Sequence, residues 1–257
     1  MKAAEAESYR GKVFLVTGSG HGLGAALARA AAERHARVVV NCRANLKRAE
    51  ALAAEIRKGG GEALAVRADV ADHEQARALV EETLRAYSRI DVLVNSVGGF
   101  SWKPLAEIEP GEWRATMASN LDSVYHMCRL AVPPMRRNHW GRIVNVGAVG
   151  AERAFGQAQA SAYSAAKAAV VAFSKALALE EARCGITVNV VSPGVLQDEE
   201  EPRAVASNHP NHSLGDRVPM GRAGAADDVV RSVLFFASPA AEFLTGQVLS
   251  VAGGWRL

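Results

Sequence analysis

The stretch KVFLVTGSGHGLG, Lys12 to Gly24, joins an apolar run to a glycine-rich turn and then to an alanine-rich segment. A short apolar run bounded by a turn signal fits a strand buried on both faces. Glycines at 18, 22 and 24 permit a tight turn and a close approach of the backbone to whatever lies above it. A helix that follows such a turn offers unpaired N–H groups and the positive end of its dipole to the same point. Strand, glycine turn and helix in this order form a cradle for a pyrophosphate, with Gly18, Ser19, His21, Gly22, Leu23 and Gly24 as its residues. The spacing is GxxxGxG rather than GxGxxG, so a plain strand-to-helix turn competes with this reading until the rest of the chain is considered.

The rest repeats the pattern. Runs at 37–41 (RVVVN), 63–69 (ALAVRAD), 90–96 (IDVLVNS), 142–148 (RIVNVGA), 186–194 (ITVNVVSPG) and 247–254 (QVLSVAGG) read as further strands, nearly continuous in Val, Ile and Leu. Ala-, Glu- and Arg-rich segments at 22–34, 46–58 and 73–87 carry helical patterns between them. This alternation predicts an α/β fold: one doubly wound, seven-stranded parallel sheet with helices on both faces. No repeat or linker divides the 257 residues, so 1–257 reads as a single domain. Only residues 195–224 break the rhythm. Because they follow the C-terminal end of a strand, where open α/β sheets bind ligands, they are expected to form a substrate lid.

Composition narrows the function classes. A net charge of +3 spread along the chain does not point to nucleic acid, and the basic run 136–142 reads as a solvated turn. Three cysteines without a CxxC pair fit reduced thiols in a cytoplasmic protein. The N-terminal segment has no apolar core of a signal peptide, and no membrane association is expected. The two histidines of HPNH, His209 and His212, lack further ligand spacing, so no metal is expected.

An acid at the end of the second strand would bind the ribose 2′-hydroxyl of NAD. Here that strand runs into Asn41, Cys42 and Arg43. Arg43 can pair with a 2′-phosphate, helped by His21 or Lys47, so NADP(H) is expected in preference to NAD(H). Farther on, Tyr163 and Lys167 stand four apart and share a helix face. A free tyrosine titrates near ~10, and a nearby ammonium favours its phenolate, as acid/base work near neutrality requires.

TGSGHGLG, NSVG (95–98), YSAAK (163–167), SPG (192–194) and the closing GRAG…LTGQVLSVAGGW occur in an order that resembles the short-chain dehydrogenase/reductase family, most closely its 3-oxoacyl-carrier-protein-reductase-like branch. The resemblance spans nearly the whole chain. It implies a Rossmann fold, a nicotinamide cofactor, a small carbonyl or alcohol substrate and a homo-oligomer, tetramer or dimer. It also implies residue roles. Asp69 sits by the adenine ring, Asn95 braces the fourth strand beside the cofactor, and Val70 and Gly98 join the cofactor set. Pro193 and Gly194 approach the nicotinamide. Asn120 holds a water in a proton relay, Tyr163 is the acid/base, and Lys167 binds the ribose and lowers the tyrosine's pKa.

The sequence departs from that family in two places. The serine that normally follows the fifth strand aligns with Ala148, and 124–160 contains no serine or threonine at all. Ser161 precedes Tyr163 by two residues and points to another helix face. Glu152, Gln157 or Gln159 could supply the missing contact, or the substrate could polarise itself. Otherwise the chain binds cofactor with little turnover, or serves as a lyase or isomerase. The second departure is Asp198, which stands where the family often has a cofactor-contacting threonine. Trp102, Phe155 and Met220 could line an apolar substrate pocket or simply pack.

Overall fold

All strand pairings in the sheet are parallel, in the order β3-β2-β1-β4-β5-β6-β7. A computed structural model describes residues 8–197 and 218–256. Its strands are β1 (Val13–Val16), β2 (Arg37–Cys42), β3 (Glu62–Arg67), β4 (Val92–Asn95), β5 (Gly141–Val146), β6 (Ile186–Pro193) and β7 (Val248–Val251). Each is flanked by turns that the sequence runs had included. Gly18, Ser96 and Ala148 leave the sheet and become loops at its C-terminal edge.

Helices α1 (Gly22–Glu33), α2 (Leu46–Lys58), α3 (His73–Tyr87), α4 (Pro110–Met117), α5 (Ser123–Arg137), α6 (Ser161–Glu181) and α7 (Ala226–Ala237) cover the sheet. The period-2 alternation of the strands decides which helix sees which residue. Phe14, Val38 and Val144 pack with Leu27 of α1, Ala49 of α2 and Val229 of α7. Their neighbours Leu15, Val39 and Ile143 face the opposite side, with Leu79 of α3, Met127 of α5 and Val170 of α6. Both faces are therefore covered, which is why the strands read as unbroken apolar runs.

The strand order reverses between β1 and β4. After β1 the chain moves outward through β2 and β3, then returns to pair β4 against the other side of β1. The loops after β1 and β4 diverge at that point and leave a crevice at the C-terminal edge. At the opposite edge, buried Asp91 accepts a bond from the Val13 N–H at 2.9 Å and pairs with Arg89 and Lys12. Within the sheet, Asn95 Nδ2 donates to Asn145 Oδ1 at 2.8 Å, and Asn145 Nδ2 donates to Ser174 Oγ on α6 at 2.8 Å. This buried chain ties β4 and β5 to the helix that carries Tyr163.

Helix α6 with its C-terminal extension (Ser161–Cys184) is long and apolar enough to cross a membrane, which the reading of apolar runs did not anticipate. It packs on β6 and buries Lys167, Val170 and Ser174 in the fold. Of the expected lid, 198–217 lie outside the described residues, with Asp198, His209 and His212 among them. Its two ends are joined: Leu196 and Gly224 form a bridge, and Gln197 N–H donates to Gly224 O at 2.8 Å.

Candidate active site

Gly18 leaves β1 with φ +63°, a backbone that side chains rarely adopt. Gly24, in the first turn of α1, passes so close to this turn that a Cβ would lie 2.5 Å from Gly18 O. Buried Ser19 stiffens the turn by donating to Val16 O at 2.7 Å. Asn41, at the end of β2, accepts from Gly18 N–H at 3.2 Å and donates to Val66 O and Ala68 O at 3.3 and 3.0 Å. One buried amide thus connects the glycine turn to β3 using both donor and acceptor. A carboxylate there would face two carbonyl oxygens without a proton to offer, which explains an asparagine at this place.

Above the turn lies a cavity of about 540 Å³. Its wall takes in Gly18, His21, Arg43, Asp69, Val70 and Gly98 from the expected set. Arg48 is there too, and sequence reasoning missed it, whereas Lys47 is not. Asn45 caps α2 by accepting from Arg48 N–H at 3.2 Å, which places Arg48 in the first turn facing the end of β2. The Asn45 cap was the signal that could have found it. Ser19, Gly22, Leu23, Gly24, Asn95, Pro193 and Gly194 stand off this wall, as do Tyr163, Lys167 and Asn120. Ser19 and Gly24 form the back of the turn, and Asn95 is buried in the sheet beside Cys128 and Asn145. Gly194 lies against β7, its N–H donating to Val251 O at 3.0 Å.

Tyr163 and Lys167 project from one face of α6. Lys167 is buried; its Nζ donates to Val146 O at 2.8 Å and lies 5.7 Å from the centre of the Tyr163 ring. Burial pulls the Lys167 pKa down to about 8 and pushes that of Tyr163 up to about 12. Without a bound ligand, desolvation holds both groups towards their neutral forms.

Asn120 sits in a π-helical turn, Ala118–Asp122, between α4 and α5. Such single wide turns free backbone groups for side-chain bonding. Asn120 Nδ2 donates to Thr116 O at 3.0 Å and to Gly99 O at 2.9 Å, while its Oδ1 is buried with no partner. A Cβ on Gly98 would lie 2.6 Å from that Oδ1 and 3.2 Å from Lys167 Nζ. The glycine of NSVG therefore separates the Asn120 amide from the Lys167 ammonium.

Ala148 is half-buried in the turn after β5 and offers no polar side-chain group. Next to it, a Cβ on Gly147 would meet Ser192 Oγ at 2.6 Å, so that fully buried hydroxyl is shielded by the strand end. Glu152 pairs with Arg153 at 3.5 Å. Phe155 lies under the Arg256 guanidinium at 4.6 Å, and Met220 packs near Gly253, so both contact the C-terminal segment. A second, small cavity of about 10 Å³ adjoins Tyr163 and is lined in part by Gln159, Ser101 and Thr116. Glu152, Gln157 and Ser161 line neither cavity.

Comparison with known proteins agrees along the whole length. A family model described as Enoyl-(Acyl carrier protein) reductase matches residues 18–256. The chain is 38% identical over 250 residues to the 3-oxoacyl-[acyl-carrier-protein] reductase FabG of Haemophilus influenzae, covering 96% of this chain and 99% of the relative. It is 35% identical over 243 residues to Nodulation protein G of Azospirillum brasilense, covering 95% and 97%. Among solved structures, a gluconate 5-dehydrogenase from Burkholderia cenocepacia in complex with NADP and tartrate superposes with a TM-score of 0.90 at 35% identity, covering 98% of each chain.

Proposed function

This chain belongs to the short-chain dehydrogenase/reductase family, and from that premise we propose an NADP(H)-dependent oxidoreductase that interconverts a carbonyl and an alcohol, with Tyr163 as acid/base. The observation that carries the reading is the approach of Lys167 and the unpartnered Asn120 Oδ1 to either side of Gly98, a residue of the large cavity's wall, with the Tyr163 ring 5.7 Å from Lys167 Nζ.

The cavity fits a dinucleotide. The glycine turn and the start of α1 would hold the pyrophosphate, and Asp69 and Val70 would border the adenine. Arg43 and Arg48 stand where a 2′-phosphate would lie, which favours NADP(H), the cofactor named with the Burkholderia relative. When bound, the nicotinamide supplies or takes up a hydride. The side chains handle the proton. At neutral pH Tyr163 carries its proton and can give it to a carbonyl oxygen. Lys167, charged below about pH 8, favours the phenolate that results. Asn120 Oδ1 and Lys167 Nζ, on either side of Gly98, suit a water that returns the proton from solvent.

The substrate is a small ketone or secondary alcohol, and the assembly a homo-oligomer, tetramer or dimer. A second reading has its own observation: Ala148 leaves Tyr163 without the family's hydroxyl neighbour. A protein of that kind would bind NADPH and turn over little. NADPH oxidation against a broad carbonyl panel separates the two. Turnover that Ala148→Ser accelerates supports the oxidoreductase, whereas tight NADPH binding with no turnover on any carbonyl supports the binder.

A further inference from the structure

Removing one donor from an oxyanion site typically costs about 10²–10³ in kcat, so a working site with Ala148 needs its second donor from elsewhere. The hydroxyls near Tyr163 can be taken in turn. Ser192 Oγ is fully buried behind Gly147 and cannot reach a substrate. Ser161 lines neither cavity. Thr116 Oγ1 spends its proton on Glu112 O at 2.9 Å, and Ser119 Oγ donates to Thr116 O at 3.3 Å. Ser101 is left.

Ser101 belongs to the loop after β4. It lines both the large cavity and the small one that adjoins Tyr163, so it stands where the two meet. Its loop is fixed against the Tyr163 side at two points. Phe100 packs its ring edge-on to Tyr163, with centroids 4.8 Å apart. Lys103 N–H donates to Gln159 O at 2.7 Å. Ser101 lies between these two ties. It is exposed and its hydroxyl makes no hydrogen bond among the described residues, so binding a substrate oxygen breaks no internal bond.

We propose that Ser101 supplies the second hydroxyl of the site, donating a hydrogen bond to the substrate oxygen that Tyr163 protonates. The proton itself comes from Tyr163; Ser101 keeps its own and stabilises the oxygen as charge develops on it. The proposal rests on the oxidoreductase reading and adds to it a residue that takes over the function of the absent serine from the loop after β4.

The test uses the full chain, NADPH and the best carbonyl of the panel, with Ser101→Ala, Ala148→Ser and the double variant beside the wild type. NADPH binding is followed separately by its fluorescence. Ser101→Ala is expected to lower kcat about tenfold or more, with the NADPH Kd within about twofold of wild type. Ala148→Ser in the Ser101→Ala background is expected to restore most of the loss, because it returns a hydroxyl to the position that aligns with the family's serine. A Ser101→Ala enzyme within about twofold of wild type overturns the proposal. So does a loss that Ala148→Ser leaves unrepaired, since Ser101 would then act by positioning its loop. A wild type that binds NADPH and reduces nothing overturns the oxidoreductase reading first, so the two failures are told apart by the wild type's own turnover.

Discussion

Asn120 and Lys167 approach each other across the Cα of Gly98, so closely that a Cβ there would lie 2.6 Å from Asn120 Oδ1 and 3.2 Å from Lys167 Nζ. Both partners are buried, and neither can swing away: Asn120 Nδ2 is held by Thr116 O and Gly99 O, and Lys167 Nζ by Val146 O. Gly98→Ala is therefore expected to displace the amide oxygen, cost about 1–3 kcal/mol of stability and lower kcat more than it weakens NADPH binding. Urea unfolding beside steady-state kinetics checks this. An alanine variant with wild-type stability and turnover would mean that the two groups are not held as described.

The buried pair should also be visible in stability against pH. Lys167 titrates near 10.5 when unfolded and at about 8 when folded. Between those values the unfolded chain holds a proton that the folded chain has lost, so this group's contribution rises with pH through the window and is absent below it. Tyr163 acts in the opposite sense: with a folded pKa of about 12, its contribution falls as pH rises from 10 to 12. Unfolding free energies at pH 7.5, 9 and 10 for wild type and Lys167→Met should differ by a gap that changes in favour of wild type as pH rises. A gap that stays flat contradicts the assigned shift.

Asn41 separates cofactor choice from fold. Changing it to aspartate, the residue type suited to NAD, removes two donated bonds and sets a buried carboxylate against Val66 O and Ala68 O. Asn41→Asp is expected to lose about 3 kcal/mol or more of stability and not to gain NADH affinity. A stable variant that prefers NADH would refute the structural role given to this amide.

Arg43 and Arg48 both line the end of the cavity beyond β2. Replacing either by alanine is expected to weaken NADPH by about ten- to a hundredfold, equivalent to one charged hydrogen bond of about 1.5–3 kcal/mol, while NADH changes little. Titration of both cofactors checks the difference. Equal losses for the two would place these arginines away from the 2′-phosphate.

The sheet could be read from the sequence because parallel strands covered on both faces leave apolar runs such as Val13–Val16 and Ile186–Val191. The ends of those runs could not, since Gly18, Ser96 and Ala148 are as compatible with a strand as with the loops they form. Tyr163, Lys167 and Gly98 were marked by motif order, and the large cavity includes Arg43, Asp69 and Val70 as expected. Asn95 was expected to brace the fourth strand and does so through Asn145, while the Ser19 side chain bonds to Val16 O behind the glycine turn. Ser101 carried no signal at all. A loop residue has no periodicity, and its position depends on Phe100 meeting Tyr163 and Lys103 meeting Gln159, contacts between segments far apart in the chain.

The most direct test of the central claim is the turnover of Tyr163→Phe, measured with the NADPH Kd of the same preparation. Phenylalanine keeps the ring that packs against Phe100 and removes only the phenolic hydroxyl, and with it the proton it would donate. The account predicts NADPH binding close to wild type and carbonyl reduction lowered by about 10²–10⁴. Full activity in Tyr163→Phe with unchanged cofactor binding would contradict it.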